Sequence, residues 1–89
     1  MADLKNQEKN EFIKVLVRSN KRIYYSGEAK SLTSVNAKGA FSVLPKHANF
    51  ITLITGWVVI RPLSGESREI KVEKGVLMVN DNEVEAYLR

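Results

Sequence analysis

Phe50-Ile51-Thr52-Leu53-Ile54-Thr55-Gly56-Trp57-Val58-Val59-Ile60-Arg61-Pro62 is the most informative stretch of this chain. Phe50, Thr52 and Ile54 alternate with Ile51, Leu53 and Thr55, and Val58 and Ile60 alternate with Trp57, Val59 and Arg61. A period of two, carried by β-branched and aromatic residues, belongs to extended chain, whose successive side chains point to opposite faces. The first half is apolar on both faces, which predicts a strand that is central in its sheet or lies beneath a partner. Gly56 is expected to break the run. Pro62, which can donate no ladder hydrogen bond, is expected to end it.

The same period continues on either side. Ile13, Val15 and Val17 oppose Lys14, Leu16 and Arg18 up to the turn formers Ser19 and Asn20. Ile23 and Tyr25 open a second strand that bends or bulges at Gly27 and continues through Ala29, Leu32 and Val35 to Asn36. Ala37-Lys38-Gly39 is a turn candidate, Phe41 and Val43 alternate with Ala40 and Ser42, and Pro45 stops that strand. Beyond Pro62 and a turn over 63–66, Ile70 and Val72 alternate with charged residues, Lys74-Gly75 reads as a turn, and Leu77 and Val79 face inward. Asn80-Asp81-Asn82 is a tight hairpin connection to Val84, Ala86 and Leu88. No window keeps a helical period, and residues 1–11, with Leu4 as their main apolar residue, are expected to form a flexible tail. Residues 12–89 therefore predict one all-β domain, a single β-sandwich or flattened barrel of about eight to ten short strands.

Composition narrows the function. The 89 residues are 44% hydrophobic and 27% charged, close to a globular average, so a packed core is expected rather than a disordered tail. Without cysteine there is no disulfide framework and no thiolate metal cage. The apolar run at 50–60 is far below the ~20 residues that cross a bilayer, and the opening residues carry three acids and no apolar block, unlike a signal or transit peptide. His47 is the only histidine, which excludes a multi-histidine metal site and leaves a Ser-His-Asp arrangement on one candidate. The glycines are scattered singly, so none builds a phosphate cradle. Glu83 and Glu85 share a strand face as a solvated edge would. The chain reads as a part of something larger, not an enzyme, and no catalytic, metal or cofactor residue is expected.

Charge is uneven. The net charge is +4, yet residues 12–62 hold eight Lys or Arg against Glu28 alone, while residues 63–89 hold four against six acids. Such asymmetry can be the footprint of a nucleic-acid-binding barrel, with Tyr24 or Tyr25 stacking on a base. The cations are spread singly over several elements, however, as on an ordinary solvated surface. A small basic nucleic-acid-binding β-barrel is thus the alternative reading, and no nucleic acid is the expected outcome.

One segment is more specific. The stretch Lys38-Gly39-Ala40-Phe41-Ser42-Val43-Leu44-Pro45-Lys46-His47-Ala48-Asn49-Phe50-Ile51-Thr52 resembles the signature of a glycine, an aromatic or aliphatic pair, Leu-Pro-x-His-Ala, an apolar pair and Thr in the epsilon subunit of rotary F-type ATP synthases, called delta in mitochondria. Tyr25-Ser26-Gly27-Glu28-Ala29, Thr55-Gly56 and the stretch Glu73 to Asn80 resemble that family's further strands in the same order. The resemblance spans about Ile13 to Leu88 and implies the family's N-terminal β-sandwich. It implies a non-catalytic central-stalk rotor subunit that couples the gamma subunit to the c-ring during ion-driven ATP synthesis. It also places the protein on the cytoplasmic face of the bacterial inner membrane, peripheral and membrane-associated only through the complex. The chain stops at Arg89 without the family's C-terminal helical hairpin, so neither the helical brake nor its nucleotide site carries over. Where the family commonly has acids flanking its c-ring glycine, this chain has Lys38 and Ala40; Lys74 replaces the first glycine of a pair, and Asn49 a proline.

The resemblance assigns a gamma contact to Pro45, Lys46, His47 and Ala48, with a locally hydrogen-bonded His47 as the plainer reading. It assigns a c-ring contact to Lys38, Gly39, Ala40 and Phe41, against a hairpin turn whose Phe41 packs inward. Trp57, on the parity opposite Val58 and Ile60, is a candidate partner anchor or a second-core residue. A globule of 10.1 kDa exposes roughly 5,000 Å², so two standard patches of about 800 Å² would occupy nearly a third of it. Exposed apolar side chains are therefore expected.

Overall fold

The computed structural model describes residues 12–89, and the expected tail at 1–11 lies outside the described residues. Six strands follow in order: β1 (Ile13–Arg18), β2 (Ile23–Asn36), β3 (Gly39–Val43), β4 (Phe50–Pro62), β5 (Arg68–Asn80) and β6 (Glu83–Leu88). Their lateral order is β1-β6-β5-β4-β2-β3, and β1 also pairs with β2, so five strands close into a barrel with β3 as a flap on β2. Among the described residues all ladders are antiparallel except β1 with β6, the first and last strands, which run parallel. Closure removes the sheet edges that an open sheet of this size would expose.

The interior is almost wholly aliphatic. Ile13, Val17, Leu32, Ile54, Ile60 and Leu77 are sealed from solvent, and Val58, Val79, Val84 and Ala86 fill the space between them. Aromatic rings of Tyr24, Tyr25, Phe41 and Phe50 pack against this core from its rim. The all-β sandwich expected from the sequence is what forms, but with fewer and longer strands. Neither Gly56 nor Lys74-Gly75 ends a strand.

Both sites are irregularities inside continuous strands. Ile54 pairs with Gly75 and Gly56 with Val72, so Glu73 and Lys74 together oppose Thr55 in a β-bulge. The extra residue reverses the facing of β5: Val72 is buried before it, and Leu77 and Val79, of the other parity, are buried after it. A reversal of parity next to a glycine imitates a turn in sequence, which is why a turn was expected. Gly75 is instead a close approach, since a Cβ there would meet Leu88 Cδ2 at 3.0 Å, the Tyr87 carbonyl oxygen at 3.1 Å and Ile54 Cγ1 at 3.2 Å. At Gly56 the backbone adopts a φ of 87°, and β2 steps past Gly56 and Trp57 between its partners Val58 and Thr55. The fully buried Ser34 hydroxyl donates at 2.8 Å to the carbonyl of Trp57, a residue that β2 skips in its ladder with β4. Ile23, at the start of β2, is 58% exposed where β2 pairs with β1 across an irregularity at Val17/Arg18.

Candidate partner-binding surface

The loop between β3 and β4 forms a corner. The His47 N–H donates to the Leu44 carbonyl at 3.1 Å, closing a turn around Pro45 and Lys46. Lys46 itself sits at φ 69°, a left-handed conformation that a long side chain seldom adopts. Its N–H donates to Asn82 Oδ1 at 2.6 Å, and the Asp81 N–H donates to Asn49 Oδ1 at 2.8 Å. Asp81 and Asn82, at φ 53° and 65°, form the two-residue turn between β5 and β6. The corner is thus bonded across space to a hairpin more than thirty residues away in sequence.

Aromatic rings brace it from the other side. The half-buried His47 ring lies over Phe50 with centroids 5.0 Å apart, and Phe41 meets Phe50 edge-on at 5.9 Å. His47 Nδ1 lies 2.7 Å from the Ala48 carbonyl oxygen, which can only accept, so Nδ1 carries the proton and donates. The local bond foreseen for His47 is therefore present, while Lys46 and Ala48 remain exposed on the outside of the corner.

At the β2–β3 turn, Lys38 and Ala40 are exposed, and the Lys38 N–H donates to Asn36 Oδ1 at 2.9 Å. Asn36 Nδ2 reaches Thr52 Oγ1 at 3.2 Å, tying this turn to β4. Phe41 packs inward against the core. The two predicted contact segments are joined through Phe41, Phe50 and His47. Trp57 is half-buried and stands roughly 20 Å further along β4, so the structure does not bring it to this corner.

The sequence foresaw exposed apolar residues without locating them all. On the outer face of β4 to β1, Ile51 lies beside Met78, Met78 beside Glu85 and Glu85 beside Leu16. In the next row Leu53, Val76, Tyr87 and Arg18 are neighbours in the same way. Ile51 is 70% and Leu53 71% exposed, and Val76, Met78 and Tyr87 are exposed with them. The double-sided pattern of residues 50–55 was the available signal for Ile51 and Leu53. Val76, Met78 and Tyr87 alternate with core residues and gave none. This patch begins one residue after Phe50, and a shallow depression lined by Asn49, Phe50, Ile51 and Met78 joins it to the corner.

Residues 12–87 match the family described as the ATP synthase delta/epsilon chain, β-sandwich domain. The chain belongs to that family. It is 40% identical over 74 residues to the ATP synthase epsilon chain of Leptospira borgpetersenii, covering 81% of this chain and 57% of that one. Against the epsilon chain of Clostridium perfringens it is 33% identical over 72 residues, with 80% and 54% covered. The chain thus spans a little over half the length of the curated relatives it matches.

Its fold is shared by a chain in the Euglena gracilis mitochondrial ATP synthase, with a TM-score of 0.80 at 16% identity, covering 88% of this chain and 51% of that one. A chain from the central stalk and c-ring of the Tetrahymena thermophila mitochondrial ATP synthase aligns with a TM-score of 0.75 at 18% identity, covering 85% and 62%. Nothing in family or fold supports the nucleic-acid alternative. Arg22 lies 4.6 Å from the centroid of the Tyr24 ring and Arg68 5.8 Å from that of Tyr25, so each tyrosine packs with a cation of this protein.

Proposed function

We propose that this chain is a non-catalytic central-stalk subunit of an F-type ATP synthase that couples the gamma subunit to the c-ring. The observation that carries this reading is the apolar outer face around Ile51 and Leu53, which adjoins the Pro45–Ala48 corner. A surface of that kind is costly to leave in water and is typical of a protein-binding site. Gamma meets Pro45, Lys46, His47 and Ala48 and extends over the apolar rows. Glu85 stands inside the first of those rows, between Met78 and Leu16, favouring a partner that sets a cation among its apolar side chains there. The c-ring meets Lys38, Gly39 and Ala40, with Phe41 holding that turn from within, and Trp57 is a separate anchor. Torque passes only through a rigid joint, and a barrel closed at every edge but β3 deforms little. In this role the protein sits peripherally on the cytoplasmic face of the bacterial inner membrane, held there by the complex.

Mixing the chain with purified gamma subunit, followed by sizing, is the direct test. A stable one-to-one species is expected, and two separate peaks at micromolar concentration reject the reading. His47→Ala should weaken capture by gamma without unfolding the domain, and unchanged capture removes His47 from the contact.

A further inference from the structure

Resting on the gamma-contact reading above, we infer that Asn49 and Asn82 are positioning residues whose crossed hydrogen bonds fix the 44–49 corner in its binding shape before the partner arrives. Each side-chain carbonyl accepts from a backbone N–H of the opposite loop: Asn82 from Lys46 at 2.6 Å, Asn49 from Asp81 at 2.8 Å. The exchange is reciprocal, so each loop supplies the brace for the other. Neither Asn is among the residues assigned a gamma contact; exposed Asn49 lines the depression beneath that surface, so half-buried Asn82 separates positioning from contact.

Three features make this a holding device. Lys46 is at φ 69°, a conformation that persists only where the surroundings enforce it, and the bond from its own N–H to Asn82 enforces it together with the turn bond from the His47 N–H to the Leu44 carbonyl. Asn82 is itself left-handed at φ 65°, which Asn tolerates better than most residues, and its carbonyl accepts from the Lys14 N–H at 2.9 Å. The brace is therefore anchored to β1, one of the walls of the barrel. Finally, Leu44, Lys46, Ala48 and Asn49 are all exposed, so among the loop's own side chains only the half-buried Pro45 and His47 help to hold it. A loop with that composition would otherwise sample many shapes, and a partner would lose affinity in ordering it.

The test uses the full chain and three measurements: amide exchange residue by residue, affinity for purified gamma, and melting temperature. Asn82→Gly removes the acceptor while keeping left-handed freedom, and Asn82→Asp keeps both. Asn49→Ala removes the other acceptor. In the parent chain the Lys46 and Asp81 amides should be protected. Asn82→Gly should speed Lys46 exchange, and Asn49→Ala should speed Asp81 exchange, by about tenfold or more, leaving the Ile54 and Leu77 amides unchanged. Each should weaken gamma binding about tenfold, mainly through slower association, and Asn82→Asp should restore it. Parent-like affinity in both loss variants overturns the positioning role while leaving the gamma reading intact. Faster exchange throughout the core overturns it too, because the residues would then be supporting the fold as a whole. A parent chain that does not bind gamma removes the functional reading first and this inference with it.

Discussion

Over residues 50–54 and 75–79 the β4–β5 ribbon is apolar on both faces in sequence, and the two faces have opposite fates. Inside, Ile54, Leu77 and Val79 are at most 3% exposed. Outside, Ile51 and Leu53 on the same strands' far side are 70% and 71% exposed. Closure of the barrel accounts for every apolar residue of the inner row and for none of the outer row. Hydrophobicity that the fold does not consume is the clearest sign that this molecule works against another surface. The difference can be measured, since an inner residue should act on stability and an outer one on association.

Leu77→Ala should show the largest effect. A sealed leucine truncated in a well-packed core costs about 2–5 kcal/mol, a large share of the roughly 5–15 kcal/mol that holds a domain together. Urea unfolding should register it directly, whereas Leu53→Ala should remain within about 0.5 kcal/mol of the parent chain. Equal losses at the two positions would mean that the outer row is part of the core after all. Next in size is the double change Ile51→Ser with Leu53→Ser. Central apolar anchors cost about 1–2 kcal/mol each in an interface, so gamma affinity should fall roughly a hundredfold, with the unfolding midpoint nearly unchanged. Retained affinity would move the gamma contact elsewhere.

Gly75→Ala probes the seam where inner and outer rows exchange parity. Its new methyl would lie 3.1 Å from the Tyr87 carbonyl oxygen and 3.0 Å from Leu88 Cδ2. The leucine can shift but the carbonyl belongs to the β5–β6 ladder and cannot. A destabilisation of about 1–3 kcal/mol is expected, with gamma binding preserved once the protein is folded. A neutral result would show that β6 has more room than its position implies.

Much of the barrel was legible because a period of two survives wherever one face is buried, as in Ile13-Val15-Val17 and Val84-Ala86-Leu88. What stayed hidden depends on contacts between distant residues. The bulge at Glu73-Lys74 reads as a turn, because two polar residues before a glycine look the same whether the chain reverses or merely gains a residue. Gly75 carries no positive φ and is required only by the strand beside it. The parallel pairing of β1 with β6 links positions some seventy residues apart, and no local pattern encodes it. The corner shows both sides of this: Pro45 and His47 stood out by family resemblance, while Asn49 entered only as a departure from it. Asn49 and Asn82 meet their partners 32 and 36 residues away, beyond any sequence motif.

The smallest expected effect lies at the β2–β3 turn, where a charge replaces a hydrophobic argument. Lys38 is exposed, and its backbone N–H, not its ammonium, makes the bond to Asn36 Oδ1, so Lys38→Glu should leave the turn and the unfolding curve as they are. An exposed ion pair contributes about 0.2–1 kcal/mol and an exposed like-charge pair costs a similar amount, so reversing this charge lowers affinity for a c-ring by at most about thirtyfold. That loss should be visible at low ionic strength and should vanish near 1 M salt, where charges are screened beyond about 3 Å. A decrease that persists at high salt would assign Lys38 a packing contact through its methylene stem. Assembly that is indifferent to the change at low salt would leave Gly39 and Ala40, held from below by Phe41, as the whole of that contact.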